Sequence, residues 1–330
     1  MAVSTASDFK IYNELFFTGQ TEVIQQVVEV WNARSLNTLL LRPRMLKGDY
    51  EQRSFFKEIA SLISRRDTTS IAAATALKIT QDEFIGVKLS RKIGPVRSTL
   101  DAFKKVGADS ATFSLNFGRQ RAVGVLQDYL DTAVAALVAA IRGRPARVYD
   151  AADLPSGNTV TMTHTHLANG LANFGDASSR VMAWVMHSKV FWDLVKQAIA
   201  DKIDGIASMA IAQASPGTFN RPVIITDSAN LKETTGSSET QYFTLGLVEE
   251  AAVVDQSEDE QIESDLDLTT ENIEMIIKGD YAYNLSLKGM KWDTTNGGAN
   301  PTAAAVGTPT NWDIASTDNR SLPGILIISD

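Results

Sequence analysis

One segment constrains the fold more than any other, a helical stretch running from about Arg119 to Arg142. Val123, Leu126, Leu130, Val134, Leu137 and Ile141 recur at three- and four-residue spacing and form one stripe. The segment is also rich in alanine, a strong helix former. At 1.5 Å per residue it spans roughly 35 Å. Gly143-Arg144-Pro145 ends it, because glycine favours a helix C-terminus and proline cannot continue the ladder. A helix of that length serves as a backbone against which a sheet packs.

The segments around it read as follows. Phe9 to Trp31 contains a helical pattern through Val23, Val27, Val30 and Trp31, which ends near Asn32-Ala33-Arg34. Gly48 to Phe56 mixes strand formers with charge. Phe84 to Ile93 alternates, with Ile85, Val87 and Leu89 on one side and Lys88 and Ser90 on the other, and Gly94-Pro95 is expected to stop it. These two make a long hairpin around a polar, alanine-rich tip, Ser64 to Ala76. Such a two-sided polar, basic hairpin buries little within its own subunit and needs something to lie on.

Thr161 to Phe174 reads as helical, Val181 to Met186 as a buried strand, and Ser188 as the N-cap of a helix whose face is Val190, Phe191, Leu194, Val195, Ala198 and Ile199. Arg221 to Asp227 is a short strand, and from Gln241 the character is strand throughout, with Tyr242 to Val254 apolar. Glu271 to Ile277 and Tyr281 to Leu287 alternate, and Gly324 to Ser329 is a last apolar run. The fold class is α+β with a largely antiparallel sheet late in the chain.

Candidate chemical sites are few. His164, His166 and His187 lie in one region, but no third ligand sits at a recognised metal spacing, and the chain has no cysteine. The acidic run Asp255 to Asp267 lacks the central glycine and the register of a calcium loop and reads as a solvated loop. No nucleophile elbow, phosphate loop or dinucleotide fingerprint is present. Trp184, Trp192, Trp292 and Trp312 read as core or interface anchors. No catalytic residue, cofactor or metal is assigned. The start, Met1 to Gln20, has no secretory pattern, and no run reaches the roughly 20 apolar residues of a membrane helix.

Charge is unevenly distributed. Net charge is −8, which argues against a dedicated nucleic-acid binder. Arg42 to Lys105 holds 14 basic and 7 acidic residues, whereas Asp227 to Asp330 holds 5 basic and 19 acidic. Either one copy presents its basic region to another copy's acidic surface, or these are two solvated surfaces of opposite sign.

The order of elements resembles the major capsid proteins of tailed bacteriophages, the Hong Kong 97-type fold. Trp184 to Ile199 followed by Arg221 to Asp227 is similar to the strand–helix–strand passage of that family's axial domain, and Asn311 to Ile314 also fits. The resemblance implies an N-terminal arm (1–43), an extended E-loop hairpin (44–96) and a peripheral domain with the spine helix (97–160, helix about 119–142). A mainly axial domain (161–270) and strands returning to the peripheral domain with a C-terminal segment (271–330) complete it. It further implies a non-enzymatic shell subunit, forming hexamers and pentamers of an icosahedral head around double-stranded DNA, without specific DNA binding or a membrane. Assembly in the host cytoplasm with a scaffolding protein, a portal and a decoration protein, and location in the virion, follow from the same resemblance. Met1 gives no sign of a removed N-terminal scaffold domain. Arg65, Arg66, Lys88, Arg91 and Lys92 of the hairpin are the expected assembly contacts, meeting carboxylates of the last third. Rival shells are an encapsulin-type nanocompartment and, with a different assembly, a tail tube.

Overall fold

The spine helix α1 (Ser110–Arg142) is 33 residues long, about 50 Å, and starts nine residues before the sequence pattern predicts. Its end is as expected. Gly143 N–H donates to the Ala139 carbonyl (3.1 Å), and Pro145–Arg147 turns into a short 3-10 helix. Of the expected stripe, Leu126, Val134, Leu137 and Ile141 are buried and Leu130 is half-buried, whereas Val123 is 57% exposed. Ala122, Val125, Tyr129, Ala133, Ala136 and Ala140 are buried beside them, which widens the inward face. From Ala133 to Ile141 the helix is buried nearly all round. Contrary to the sequence expectation, Phe117–Arg142 is long and apolar enough to cross a membrane; 67% of its most apolar window is buried in the protein instead.

The computed structural model describes residues 28–57, most of 62–80, 81–99, 110–152, 160–198, 211–212, 218–235, 239–315 apart from 259 and 270, and 321–330. Of the predicted N-terminal helix, residues 28–34 are helical and the rest lies outside the described residues, as does Ile199. Two sheets flank α1. The first comprises β1 (Leu39–Pro43), β2 (Tyr50–Phe56), β3 (Gln81–Thr99), β10 (Ala252–Gln256), β11 (Gln261–Asp267) and β12 (Glu274–Leu287). Its order is β1-β10-β12-β3-β2, with β11 beside the first half of β12. The second contains β4 (Val148–Asp150), β5 (Val181–Met186), β6 (Ile211–Ala212), β7 (Val223–Ile225), β8 (Lys232–Thr235), β9 (Glu239–Val248) and β15 (Gly324–Ser329). Its order is β4-β15-β9-β5-β7-β6, with β8 on β9. A ribbon of β13 (Met290–Trp292) and β14 (Trp312–Ile314) stacks Trp292 edge-on against Trp312, centroids 4.9 Å apart. Helices α2 (His164–Ala172), α3 (Ser188–Ala198) and the short α4 (Ala303–Val306) complete the fold.

Several local expectations are corrected. The apolar stretch Tyr242 to Val254 divides between two strands; the chain turns at Glu250 (φ 55°) and crosses from the second sheet to the first. Glu271 to Leu287 holds one continuous strand, β12. The acidic run is no solvated loop, since Asp255 ends buried in β10 and Gln261–Asp267 is β11, paired antiparallel to β12. Gly94-Pro95 does not stop β3. The strand passes through with a bulge opposite Ile277 and Gly279, where a residue without an N–H is tolerated. Of the four tryptophans expected as anchors, Trp184, Trp292 and Trp312 are core, whereas Trp192 is 47% exposed.

The helix α3 shows a cap that the sequence pattern misplaces. The first helical bond runs from Phe191 N–H to the His187 carbonyl (3.1 Å), and the His187 Nδ1 accepts from Lys189 N–H (3.2 Å). His187, not Ser188, is therefore the N-cap, while the Ser188 hydroxyl bonds Asp227. Burial, reinforced by Lys232 and Lys189 against the opposing pull of Asp227, holds the His187 pKa below its usual 6.5. The neutral ring is the capping form, so its contribution is present above the unfolded pKa and is lost as pH falls through the folded one. The unassembled subunit should lose stability as pH falls below the ordinary histidine value of 6.5, and His187→Asn, which keeps a capping acceptor, should flatten that slope in urea titrations.

Candidate assembly surface

The hairpin grows out of the first sheet. Strands β2 and β3 pair from Tyr50↔Val87 to Phe56↔Gln81, and beyond them residues 57–80 form the tip, without strand or helix among its described residues. The root is firmly seated. Ile85, Val87 and Leu89 are core, so half of the hairpin is anchored in its own subunit, contrary to the sequence reading. Phe55 stacks on Phe84 at 4.3 Å, and Asp82 receives Lys57 (2.7 Å) and Lys291 (3.5 Å). Burial raises the Asp82 pKa, but the Lys57 hydrogen bond, the Glu83 N–H and Lys291 outweigh it and hold the carboxyl below the usual range. Glu51 ties the neighbourhood together, accepting from Arg44 (3.0 Å), Arg53 and Asn284 (2.9 Å).

A second cluster fastens β3 and β12 to the spine. The Tyr281 hydroxyl donates to Asp128 (2.8 Å) and the Tyr283 hydroxyl to Thr132 (3.0 Å), while Tyr129 lies edge-on to both rings. Burial, with the negative field of Asp128, pushes all three hydroxyls well above the usual tyrosine range, so they remain donors. Arg91 reaches Asp128 and Tyr283, each at 3.4 Å. Arg121 and Glu260 meet at 2.5 Å with side chains 3% and 5% exposed.

These contacts redistribute the five expected assembly residues. Arg91 follows the alternation of Val87 and Leu89 onto the helix-facing side and is committed within the subunit. Lys88, on the opposite face, bonds Glu258 of the same chain. Arg65, Arg66 and Lys92 are exposed. Part of the charge split is thus neutralised internally, through Lys88–Glu258, Arg42–Asp255 (2.7 Å) and Arg97, which reaches Glu274 (3.7 Å) and Asp267 (4.0 Å).

Sequence reasoning missed the apolar character of the tip. Phe56, Leu62, Ile63, Ile71, Leu77 and Ile79 are between 50% and 104% exposed. Six large apolar side chains bared within one short segment form a patch of the kind that marks an interaction surface. Their presence in a stretch with no helix or strand period was the available signal. The histidines are accounted for structurally. His166 closes a capping box with Thr163 at the start of α2, His164 is that helix's first residue, and His187 caps α3.

A spine helix between two mixed sheets, with a hairpin growing out of one of them, is a fold that solved phage-capsid structures share. The chain superposes on the capsid of Ralstonia phage GP4 with a TM-score of 0.53 at 9% identity, covering 88% of this chain and 87% of that one. The cyanophage Pam1 capsid gives 0.52 at 12% identity over 88% of both chains. The acid-stable capsid of Helicobacter pylori bacteriophage KHP30 gives 0.50 at 8%, over 89% and 88%. No curated protein sequence matches. The fold is the α+β, Hong Kong 97-type fold of tailed-phage capsid proteins.

The model of the Gp13-like family, major capsid protein 13-like, matches residues 8–326, and the chain belongs to that family. It is a structural subunit of the virion capsid and not an enzyme.

The seating of the root is testable at Asp255, whose carboxylate is wholly buried and receives Arg42 through two bonds (2.7 and 3.1 Å). Because the Arg42 side chain is 33% exposed, Asp255→Ala should cost about 1–3 kcal/mol, below the ~3–5 of a fully buried pair, read as a lowered urea midpoint of the unassembled subunit.

Proposed function

We propose that this subunit assembles into hexamers and pentamers that close an icosahedral head around double-stranded DNA, and that the hairpin tip makes its lattice contact on another copy. The observation that carries this reading is the bared tip. Burying a large apolar side chain yields about 1.5–3 kcal/mol, so six of them offer on the order of 10 kcal/mol before ordering costs. A subunit repeated around closed symmetry collects that gain at every copy. Arg65 and Arg66 in the same tip add long-range attraction toward an acidic surface, which favours correct encounter more than it adds affinity.

In this proposal the peripheral part is α1 with the first sheet and the axial part is the second sheet. The division of 161–270 and 271–330 then shifts, because β10 and β11 go with the peripheral part and β15 with the axial part. Residues 1–43 are the arm and 44–96 the E-loop region. The same reading includes assembly in the host cytoplasm with a scaffolding protein and a portal as partners, and a decoration protein on the finished head; membership of a capsid family supports it. DNA would be enclosed without a dedicated site, in keeping with the net charge of −8.

Of the five contact residues, Arg65, Arg66 and Lys92 keep the assembly role, whereas Lys88 and Arg91 support the hairpin root. Arg65→Glu with Arg66→Glu should reduce closed heads seen by electron microscopy by about tenfold or more, a contact loss of at least ~1.4 kcal/mol, and leave the melting temperature of the unassembled subunit unchanged. Normal heads from that variant would overturn the tip contact. Tubes, or small shells filled with protein cargo, from the wild-type protein would replace the phage-head reading with a tail-tube or encapsulin-type one.

A further inference from the structure

The first sheet has a second face, turned away from α1. Side-chain alternation sends Val87, Leu89, Val254 and Tyr283 toward the spine and Lys88, Asp255 and Asn284 to the opposite side. Ser257, two residues beyond Asp255, follows the same alternation, and its N–H continues the pairing by donating to the Ala282 carbonyl (3.0 Å). Over this face passes the segment 44–49, which joins β1 to β2. It is pinned at two points: Leu46 N–H donates to the Ser257 carbonyl (3.1 Å), and Lys88 N–H donates to the Asp49 carbonyl (3.0 Å). A cavity of about 330 Å³ lies between segment and sheet.

The cavity is basic. Arg44, Lys47, Arg53 and Lys88 line it, against one carboxylate, Glu51. Glu51 already accepts from Arg44 (3.0 Å), Arg53 and Asn284 (2.9 Å). Asp255 on the same face is held by Arg42 (2.7 Å) and lies 3.9 Å from Arg44. The Lys88 side chain is 12% exposed and pairs with Glu258, which is itself 58% exposed. Beside these cations the Ser257 hydroxyl is buried, the residue being 2% exposed, and has no hydrogen-bond partner among the described residues. Folded proteins rarely leave a buried hydroxyl unpaired, and this one belongs to the lining of the basic cavity.

We propose that the cavity binds a small phosphate-type oxyanion, either inorganic phosphate or the phosphate group of a monoester. Ser257 donates one hydrogen bond from the inner wall and Lys88 supplies a sheltered ammonium, while Arg44 and Lys47 close over the ion from the segment above. A guanidinium suits this ligand because its N–H groups reach two oxygens at once. Four cations against one carboxylate match a dianion, with the surplus partly offset by Glu258. A duplex backbone fits less well, since a phosphate fixed on a rigid helix does not reach a hydroxyl buried inside the cavity. The bound ion ties 44–49 to β3 and to the end of β10 and so braces the root of the hairpin within one subunit, independently of any assembly contact.

The test uses the full, unassembled chain, with sodium phosphate replacing sodium chloride at matched ionic strength. Calorimetry should show one-to-one binding, and saturating phosphate should raise the melting temperature by about 1–3 °C. Ser257→Ala should weaken binding about tenfold, and Arg44→Gln with Lys47→Gln by at least about that much, whereas Arg65→Gln with Arg66→Gln should bind as the wild type does. In chloride, Ser257→Ala should melt no lower than the wild type, because it removes a hydroxyl that has no partner. Glycerol 3-phosphate that displaces inorganic phosphate would extend the site to monoesters; failure to displace it would restrict the site to the free ion. Phosphate also stabilises proteins by exclusion from their surfaces, so an equal rise in every variant overturns the proposal. So does an absence of binding, or a Ser257→Ala protein that melts several degrees lower in chloride. A short DNA duplex that binds in place of phosphate, with the same loss in Ser257→Ala, would overturn it in favour of a nucleic-acid contact.

Discussion

Everything else in the structure depends on the burial of α1. The segment from Ala133 to Ile141 is enclosed nearly all round, and it can be so only because strands from both sheets meet it. Among the described residues no other helix approaches its length. The spine thus joins two sheets into one core, with Leu137, Leu167, Leu285 and Leu326 all fully buried in a single cluster. Its polar counterpart is the Asp128–Tyr281–Tyr283–Arg91 cluster. Where α1 emerges from the deepest part of the core, hydrogen bonds and ring stacking take over from aliphatic contact and hold β3 and β12 at a defined height along the helix. A hydrogen-bonded cluster specifies register more sharply than apolar contact, because each misplaced hydroxyl or guanidinium would be left buried without its partner.

That registration matters beyond the core. Strand β3 carries the hairpin tip at one end and pairs with the first half of β12 at the other, so fixing β3 on α1 positions both. The subunit satisfies its strong interactions internally at the middle of this strand and leaves weaker, apolar and long-range charged surfaces at its two ends. Such a division suits a shell, in which each subunit must fold alone and yet keep contacts in reserve for its neighbours. The charge asymmetry of the chain follows the same division. Lys88, Arg42 and Arg97 are paired with late-chain carboxylates of the same subunit, whereas Arg65, Arg66 and Lys92 remain exposed.

Much was determined by the sequence itself. The period of α1, its stop at Gly143, the alternation of β3 and of Tyr281 to Leu287, and the apolar runs that became β5 and β15 follow from local chemistry, since periodicity and glycine or proline punctuation act within a few residues. The order of those elements was enough to indicate a capsid-type subunit. Tertiary structure decided the rest. That Val123 alone of the expected α1 stripe stands exposed, while Ala122, Val125 and Tyr129 join the inward face, depended on where the rest of the fold meets the helix. Whether Tyr242 to Val254 was one strand or two depended on a turn that hands the chain from one sheet to the other, and an apolar pattern looks the same either way. Whether Arg91 was an assembly contact or a structural one depended on Asp128, 37 residues away in sequence but 3.4 Å away in space. The bared apolar tip was hidden for the opposite reason, because exposure is defined by what the rest of the chain fails to cover.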